Sequence, residues 1–316
     1  MLSIGIVGCG TIGTALARAI DEGRIPALLS GLANRTQARA EALAGSLRTR
    51  PPVVKIPELV RASDLLVEAA TGKALEEIVP ACLREGKDVF VISVGGLLGH
   101  EEWFREAEAR GCRILFASGA IAGLDGVRGA VVGRVDSVTL TTRKPPKGLA
   151  GAPYVVERGI DLDALTEETV IFEGTAREAC KGFPTNVNVS AALSLAGVGP
   201  DRTRVRIIAV PGGRFNQHRI EVRGEFGRLS VEIENVPSAT NPRTGLLSIY
   251  SPSRFWRAMP GPQGAKPRGR IQLNRRLRPP MAVLARSYGL RSGRVRLWRD
   301  RFRRFSEAEE CGRWSS

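Results

Sequence analysis

Ser3-Ile4-Gly5-Ile6-Val7-Gly8-Cys9-Gly10-Thr11-Ile12-Gly13 is the stretch that decides the fold. Ser3 to Val7 is an apolar run of strand length, glycines follow at 8, 10 and 13, and residues 11–22 carry apolar side chains at helical spacing. A G-x-G-x-x-G pattern is weak by itself. Placed between a strand and a helix, it becomes the fingerprint of a dinucleotide-binding turn. The three glycines differ in what they do. Gly8 permits the tight turn, Gly10 lets backbone approach a pyrophosphate, and Gly13 lets helix and sheet pack closely. The free N–H groups of the helix start, at Thr11 and Ile12, then meet the phosphate charge.

Working outward, the alternation continues. Residues 27–33, 64–69 (DLLVEA), 88–94 (DVFVISV) and 113–117 read as strands, and 36–44, 74–84 and 101–110 as helices. Strands joined by helices imply right-handed crossovers, and near-continuous apolar strands fit a sheet covered on both faces. Residues 1–118 are therefore predicted to form an α/β domain, a doubly wound parallel Rossmann sheet binding NAD or NADP. After Gly119 the pattern changes. Residues 137–142 (SVTLTT), 169–172, 204–209, 218–222 and 229–233 alternate with a period of two, and 188–195 is a helix rich in small residues. This predicts a second, α+β domain over 119–251 with a mixed or antiparallel sheet.

The chain has 316 residues, 43% hydrophobic and 25% charged, which suits two folded domains and excludes wholesale disorder. Its net charge of +15 is unevenly placed. From Pro252 onward 17 Lys+Arg face 4 Asp+Glu, leaving 30 against 28 for the rest. The body is thus nearly neutral, and residues 252–316 read as a basic, proline-studded, irregular tail, expected to be disordered. No window approaches the roughly 20 apolar residues that span a bilayer. The start lacks a basic leader, and the five cysteines show no C-x-x-C spacing. A cytoplasmic, reducing setting without a metal site is expected.

The adenosine ribose is read at the end of the second strand. Here that position holds Asn34-Arg35-Thr36 and no carboxylate. Arg35 with Asn34 either accepts a 2′-phosphate, allowing NADP, or is a solvated loop residue. Two histidines are present. His100, at a helix start, suits a surface or capping role. His218 follows the flexible Pro211-Gly212-Gly213 and feeds a strand, a place that suits a catalytic base or a satisfied structural ring. Ser118 to Leu124 follows the last Rossmann strand, where small residues let backbone approach a nicotinamide or form a packed interdomain crossing. Lys144, in Lys144-Pro145-Pro146-Lys147, either meets a substrate carboxylate or caps a strand end.

GCGTIG, SVGGL (93–97), SGAIAGLDGV (118–127), KPPKGL (144–149), FEGTAREACKGFPTNVNVSAALSLAGVG (172–199), NQHRI (216–220) and ENVPSATNPRTGLLSIYS (234–251) together resemble the L-aspartate dehydrogenase family. The resemblance covers about residues 1–251. It implies a homodimeric enzyme that oxidises L-aspartate with NAD(P) to iminoaspartate, which hydrolyses to oxaloacetate and ammonia and can feed NAD synthesis. It further implies nicotinamide contacts at Ala120 and Asn188, and catalysis at His218. Two departures stand out. Val210-Pro211 replaces an acidic residue before proline, and the family pattern breaks at Pro252 as abruptly as a reading-frame change.

Two other readings compete with this one. A dihydrodipicolinate-reductase-like or homoserine-dehydrogenase-like enzyme shares the two-domain plan, although the adjacent histidines of the first are missing here. A non-catalytic NAD(P)-binding protein would instead use the basic tail for nonspecific, salt-dependent contact with nucleic acid.

Overall fold

A computed structural model describes residues 1–184, 188–238 and 241–258. The first domain comprises β1 (Leu2–Val7), α1 (Thr11–Asp21), β2 (Ala27–Ala33), α2 (Gln37–Ser46), α3 (Ile56–Ala62), β3 (Leu65–Glu68), α4 (Leu75–Arg84), β4 (Asp88–Val91), α5 (Glu101–Arg110) and β5 (Ile114–Phe116). The strands run parallel in the order β2-β1-β3-β4-β5. The chain leaves β1 toward one edge and returns to β3 on the other side. A crevice therefore opens at the carboxyl ends of β1 and β3, where the glycine turn sits. Burial of every β3 residue shows why its sequence is a continuous apolar run ending in a single acid.

The second domain comprises α6 (Leu124–Ala130), β6 (Val135–Lys144), α7 (Pro153–Glu157), β7 (Thr169–Thr175), α8 (Ala176–Gly182), α9 (Asn188–Ala196), β8 (Thr203–Ala209), β9 (Asn216–Gly224), β10 (Gly227–Asn235), β11 (Pro237–Ser238), β12 (Asn241–Gly245) and α10 (Leu246–Ala258). Its main sheet has the order β10-β9-β6-β8-β7, with β6 and β8 parallel and the other pairs antiparallel. It is the expected mixed sheet. Along β6, Val138, Leu140, Thr142 and Lys144 are buried on one face, and along β9 so are Asn216, His218, Ile220 and Val222. Because β6 and β9 are antiparallel, the polar end of each row meets the polar end of the other. Helices α8 and α9 pack on β8. The serines and alanines of α9 are buried almost all round, the small side chains that close packing on two sides demands.

Three local expectations need correction. The fourth strand ends at Val91 rather than at 94, because the backbone N–H groups of Ile92 and Ser93 turn onto the Glu68 carboxylate. Helix α3 is an addition to the expected elements, although Pro57 at its first turn is a start signal. The break at Pro252 falls inside α10, which runs on to Ala258. An internal proline costs a helix about 3 kcal/mol. Here its ring is buried and α10 lies against α1, so tertiary packing outweighs the local penalty. Residues 259–316, most of the expected tail, lie outside the described residues.

Candidate active site

The turn after β1 is built by steric necessity. Gly8 has φ 104°, and a β-carbon there would lie 2.4 Å from the Ala69 carbonyl oxygen across the crevice. A β-carbon on Gly13 would lie 1.9 Å from the Gly8 carbonyl oxygen, so the first turn of α1 can close only on glycine. Gly10 faces open space, with nothing within 4 Å of such an atom. No side chain caps α1 and no acidic residue stands in its first turn. The N–H groups of Thr11, Ile12 and Gly13 are left for an anion. These features fit the pyrophosphate of a dinucleotide.

The turn is tied to the end of β2. Gly8 N–H donates to the Ala33 carbonyl at 2.8 Å, and Cys9 N–H donates to Asn34 Oδ1 at 3.0 Å. Asn34 Nδ2 donates in turn to the Thr36 carbonyl at 2.9 Å. Both ends of the Asn34 amide are thus occupied in holding the turn. Arg35 is exposed beyond it. Of the pair singled out at the ribose end, Arg35 is the one whose side chain faces solvent.

Glu68, absent from the candidates drawn from sequence, organises the opposite wall. Its side chain is buried, and its Oε1 accepts from Ala70 N–H at 2.7 Å and Ser93 Oγ at 2.9 Å. Oε2 accepts from Ile92 N–H at 3.1 Å and Ser93 N–H at 2.8 Å. Burial pushes its pKa up, against the pull of these donors. The signal that marks it is a lone acid closing an apolar strand. Two residues on from Ser93, Gly95 N–H donates to Asn188 Oδ1 at 3.1 Å, so the N-terminal end of α9 reaches the first domain. Ala120 is buried and its carbonyl accepts from Asn235 Nδ2 at 2.9 Å.

His218 of β9 stands opposite Thr142 of β6, and its Nδ1 lies 3.0 Å from Thr142 Oγ1. Thr142, also missed from sequence, is the side chain that hydrogen-bonds the ring. Val210, at the acid's position, uses its N–H on the Lys144 carbonyl at 2.8 Å. The imidazole is pushed down to about 3, first by burial and then by the Lys144 charge. Burial pushes Lys144 down to about 8. Around one cavity the structure gathers Ile12, Ala120, Lys144, Asn188, Asn216 and His218, with Pro252 of α10 at its wall. The glycines and Arg35 lie apart from it, along the crevice toward β2. His100 stacks on Trp103 and meets Glu102 at the surface, a capping position without part in the cavity. Among the described residues, no group of three or more His, Cys, Asp or Glu could hold a metal ion.

The chain is 50% identical over 255 residues to an L-aspartate dehydrogenase of Methanosarcina mazei, an overlap covering 79% of this chain and 94% of that one. The chain belongs to the L-aspartate dehydrogenase family. A Bradyrhizobium diazoefficiens family member is 48% identical over 250 residues, covering 79% of this chain and 89% of its own. The family model described as aspartate dehydrogenase, C-terminal, matches residues 125–259, and that for the homoserine dehydrogenase NAD binding domain matches 8–117. The first match carries the family past Pro252 to the end of α10. In the aspartate dehydrogenase family the crystal structure from Thermotoga maritima is similar, with a TM-score of 0.62 at 27% identity over 84% of this chain and 100% of that one.

Proposed function

We propose that this chain is an NAD(P)-dependent L-aspartate dehydrogenase acting on the CH–NH2 group of its substrate. One observation carries the proposal. A buried cation, Lys144, and a buried neutral imidazole, His218, line the same cavity as Ile12 of the dinucleotide turn. A dicarboxylic amino acid needs positive charge to hold it and a proton acceptor at its amine, and the cavity supplies both.

Gly8, Gly10, Thr11, Ile12 and Gly13 would hold the pyrophosphate, and Ala120 and Asn188 would flank the nicotinamide. When bound, the nicotinamide supplies the acceptor for the hydride leaving Cα. The chain's own groups handle position and protons. Lys144 offsets substrate carboxylate charge. Thr142 holds His218 Nδ1, leaving Nε2 as the proton acceptor. Before substrate arrives, burial first and the nearby ammonium second keep that nitrogen weakly basic. A substrate carrying two carboxylates offsets the ammonium charge and raises the basicity of the ring when a proton must be taken. Loss of hydride and proton leaves iminoaspartate, and water then releases ammonia and oxaloacetate. The imine can feed NAD synthesis.

Arg35, exposed where a carboxylate would repel a 2′-phosphate, supports use of NADP beside NAD. Five scattered cysteines without C-x-x-C spacing support a reducing, cytoplasmic setting. Among the described residues no helix is long and apolar enough to cross a membrane. The test is appearance of reduced cofactor on adding L-aspartate, titrated with NAD and with NADP. No reduction above the substrate-free rate overturns the proposal. An NADP dissociation constant more than about tenfold weaker than that for NAD, about 1.4 kcal/mol, overturns the part given to Arg35.

A further inference from the structure

Asn216 is the first residue of β9, two positions before His218 on the same buried face. The residue is only 2% exposed, and its buried Nδ2 and Oδ1 have no hydrogen-bond partner among the described residues. A buried amide left unsatisfied is destabilising, and native folds keep few of them without a reason. Its neighbours explain why it stands bare. Asn235, directly opposite on β10, is turned away to the Ala120 carbonyl. Gln217 points to the other face and bonds Glu234. On the β6 side, Gly148 covers both Asn216 and Lys144. A β-carbon there would lie 3.7 Å from Lys144 Cβ and Cδ and 4.0 Å from Asn216 Oδ1. Both side chains line the cavity that holds His218.

A donor–acceptor group without internal partners, beside a buried ammonium, matches a carboxylate. We propose that Asn216 is a substrate-binding residue, whose amide Nδ2 donates to the same substrate carboxylate oxygens that Lys144 draws in. The inference rests on the function proposed above. It makes a carboxyl group, rather than an amide or a hydroxyl, the feature read at this end of the cavity. With neither end of the amide committed, Asn216 can turn to present Nδ2 without breaking an existing bond. Binding then satisfies a group that folding left bare, a cost recovered only with the correct ligand.

The test uses the full chain with Asn216→Leu, close to the same shape without polar atoms, and Asn216→Ala in case the larger side chain impairs folding. The expected result is a KM for L-aspartate raised about 10- to 100-fold, with kcat within about threefold and the cofactor dissociation constant unchanged. Tm should stay level or rise, because a bare amide has been removed. A merely structural asparagine would lower Tm and leave KM alone, and that pattern overturns the inference. A second arm needs no turnover: succinate should raise the Tm of the wild type and not of either variant. If the wild type fails to oxidise L-aspartate, the proposed function falls, and the succinate arm decides Asn216 by itself. Equal shifts in wild type and variants, or none in any, overturn the inference.

Discussion

Replacing His218 by Gln should reveal the buried imidazole twice, once in turnover and once in acid stability. A positioned proton acceptor contributes typically about 10²–10⁴-fold, so kcat should fall by that factor while the cofactor still binds. The stability effect follows from the ring's surroundings. Burial and the Lys144 charge hold its pKa near 3, against 6.5 when unfolded. Between those values the unfolded chain binds more protons than the folded one, so stability falls as pH falls through the window. At pH 7 the effect is negligible. At pH 5 the folded ring is still neutral while the unfolded ring is charged, and the difference comes to about 2 kcal/mol. Lys144, pushed down to about 8, stays largely protonated from pH 7 to pH 5 and adds little slope. Glu68 titrates in both proteins and cancels in the comparison. Urea unfolding of wild type and His218→Gln at pH 5 and pH 7 provides the assay. The wild type should lose about 2 kcal/mol more than the variant on acidification. Parallel losses would show that the ring is hydrated, and undiminished turnover in a folded variant would remove it from catalysis.

The glycine turn offers a paired test. Gly10→Ala should leave Tm unchanged and weaken cofactor binding at least about tenfold, because its β-carbon enters open space where the pyrophosphate belongs. Gly13→Ala should lower Tm as well, since its β-carbon collides with the Gly8 carbonyl; equal Tm values for the two variants would contradict this geometry. Glu68→Leu leaves the Ala70 and Ser93 N–H groups without their side-chain acceptor, while Ile92 N–H keeps the Glu68 carbonyl, and should cost about 2 kcal/mol by denaturant unfolding, with weaker cofactor binding. A chain ending after Ala258 should keep the Tm and activity of the full chain. One ending at Ser251 loses the buried Pro252 and half of α10, and should melt several degrees lower.

Most of the Rossmann half is legible because its signals are local. The glycine spacing, the β1 run and the crossover helices each declare themselves within a dozen residues. The period-two segments likewise announce β6 to β10, although not their order. The helix through Pro252 is illegible for the opposite reason. Propensity and proline count argue for a break, and only contact with α1 and a buried ring argue against it.

By itself the sequence determined the dinucleotide turn, the two-domain plan, the family and His218 as the candidate base, since each rests on residues adjacent in the chain or on a long shared pattern. Only the tertiary structure decided what surrounds that base. Thr142 and His218 are 76 positions apart and meet because β6 and β9 pair antiparallel in one register. Glu68 and Ser93 meet because β3 and β4 are neighbours, and Asn188 reaches Gly95 because α9 packs against the first domain. Burial follows the same logic. It makes His218 neutral, lowers Lys144 and leaves Asn216 bare, and it belongs to no residue alone, being set by what the rest of the chain excludes from water.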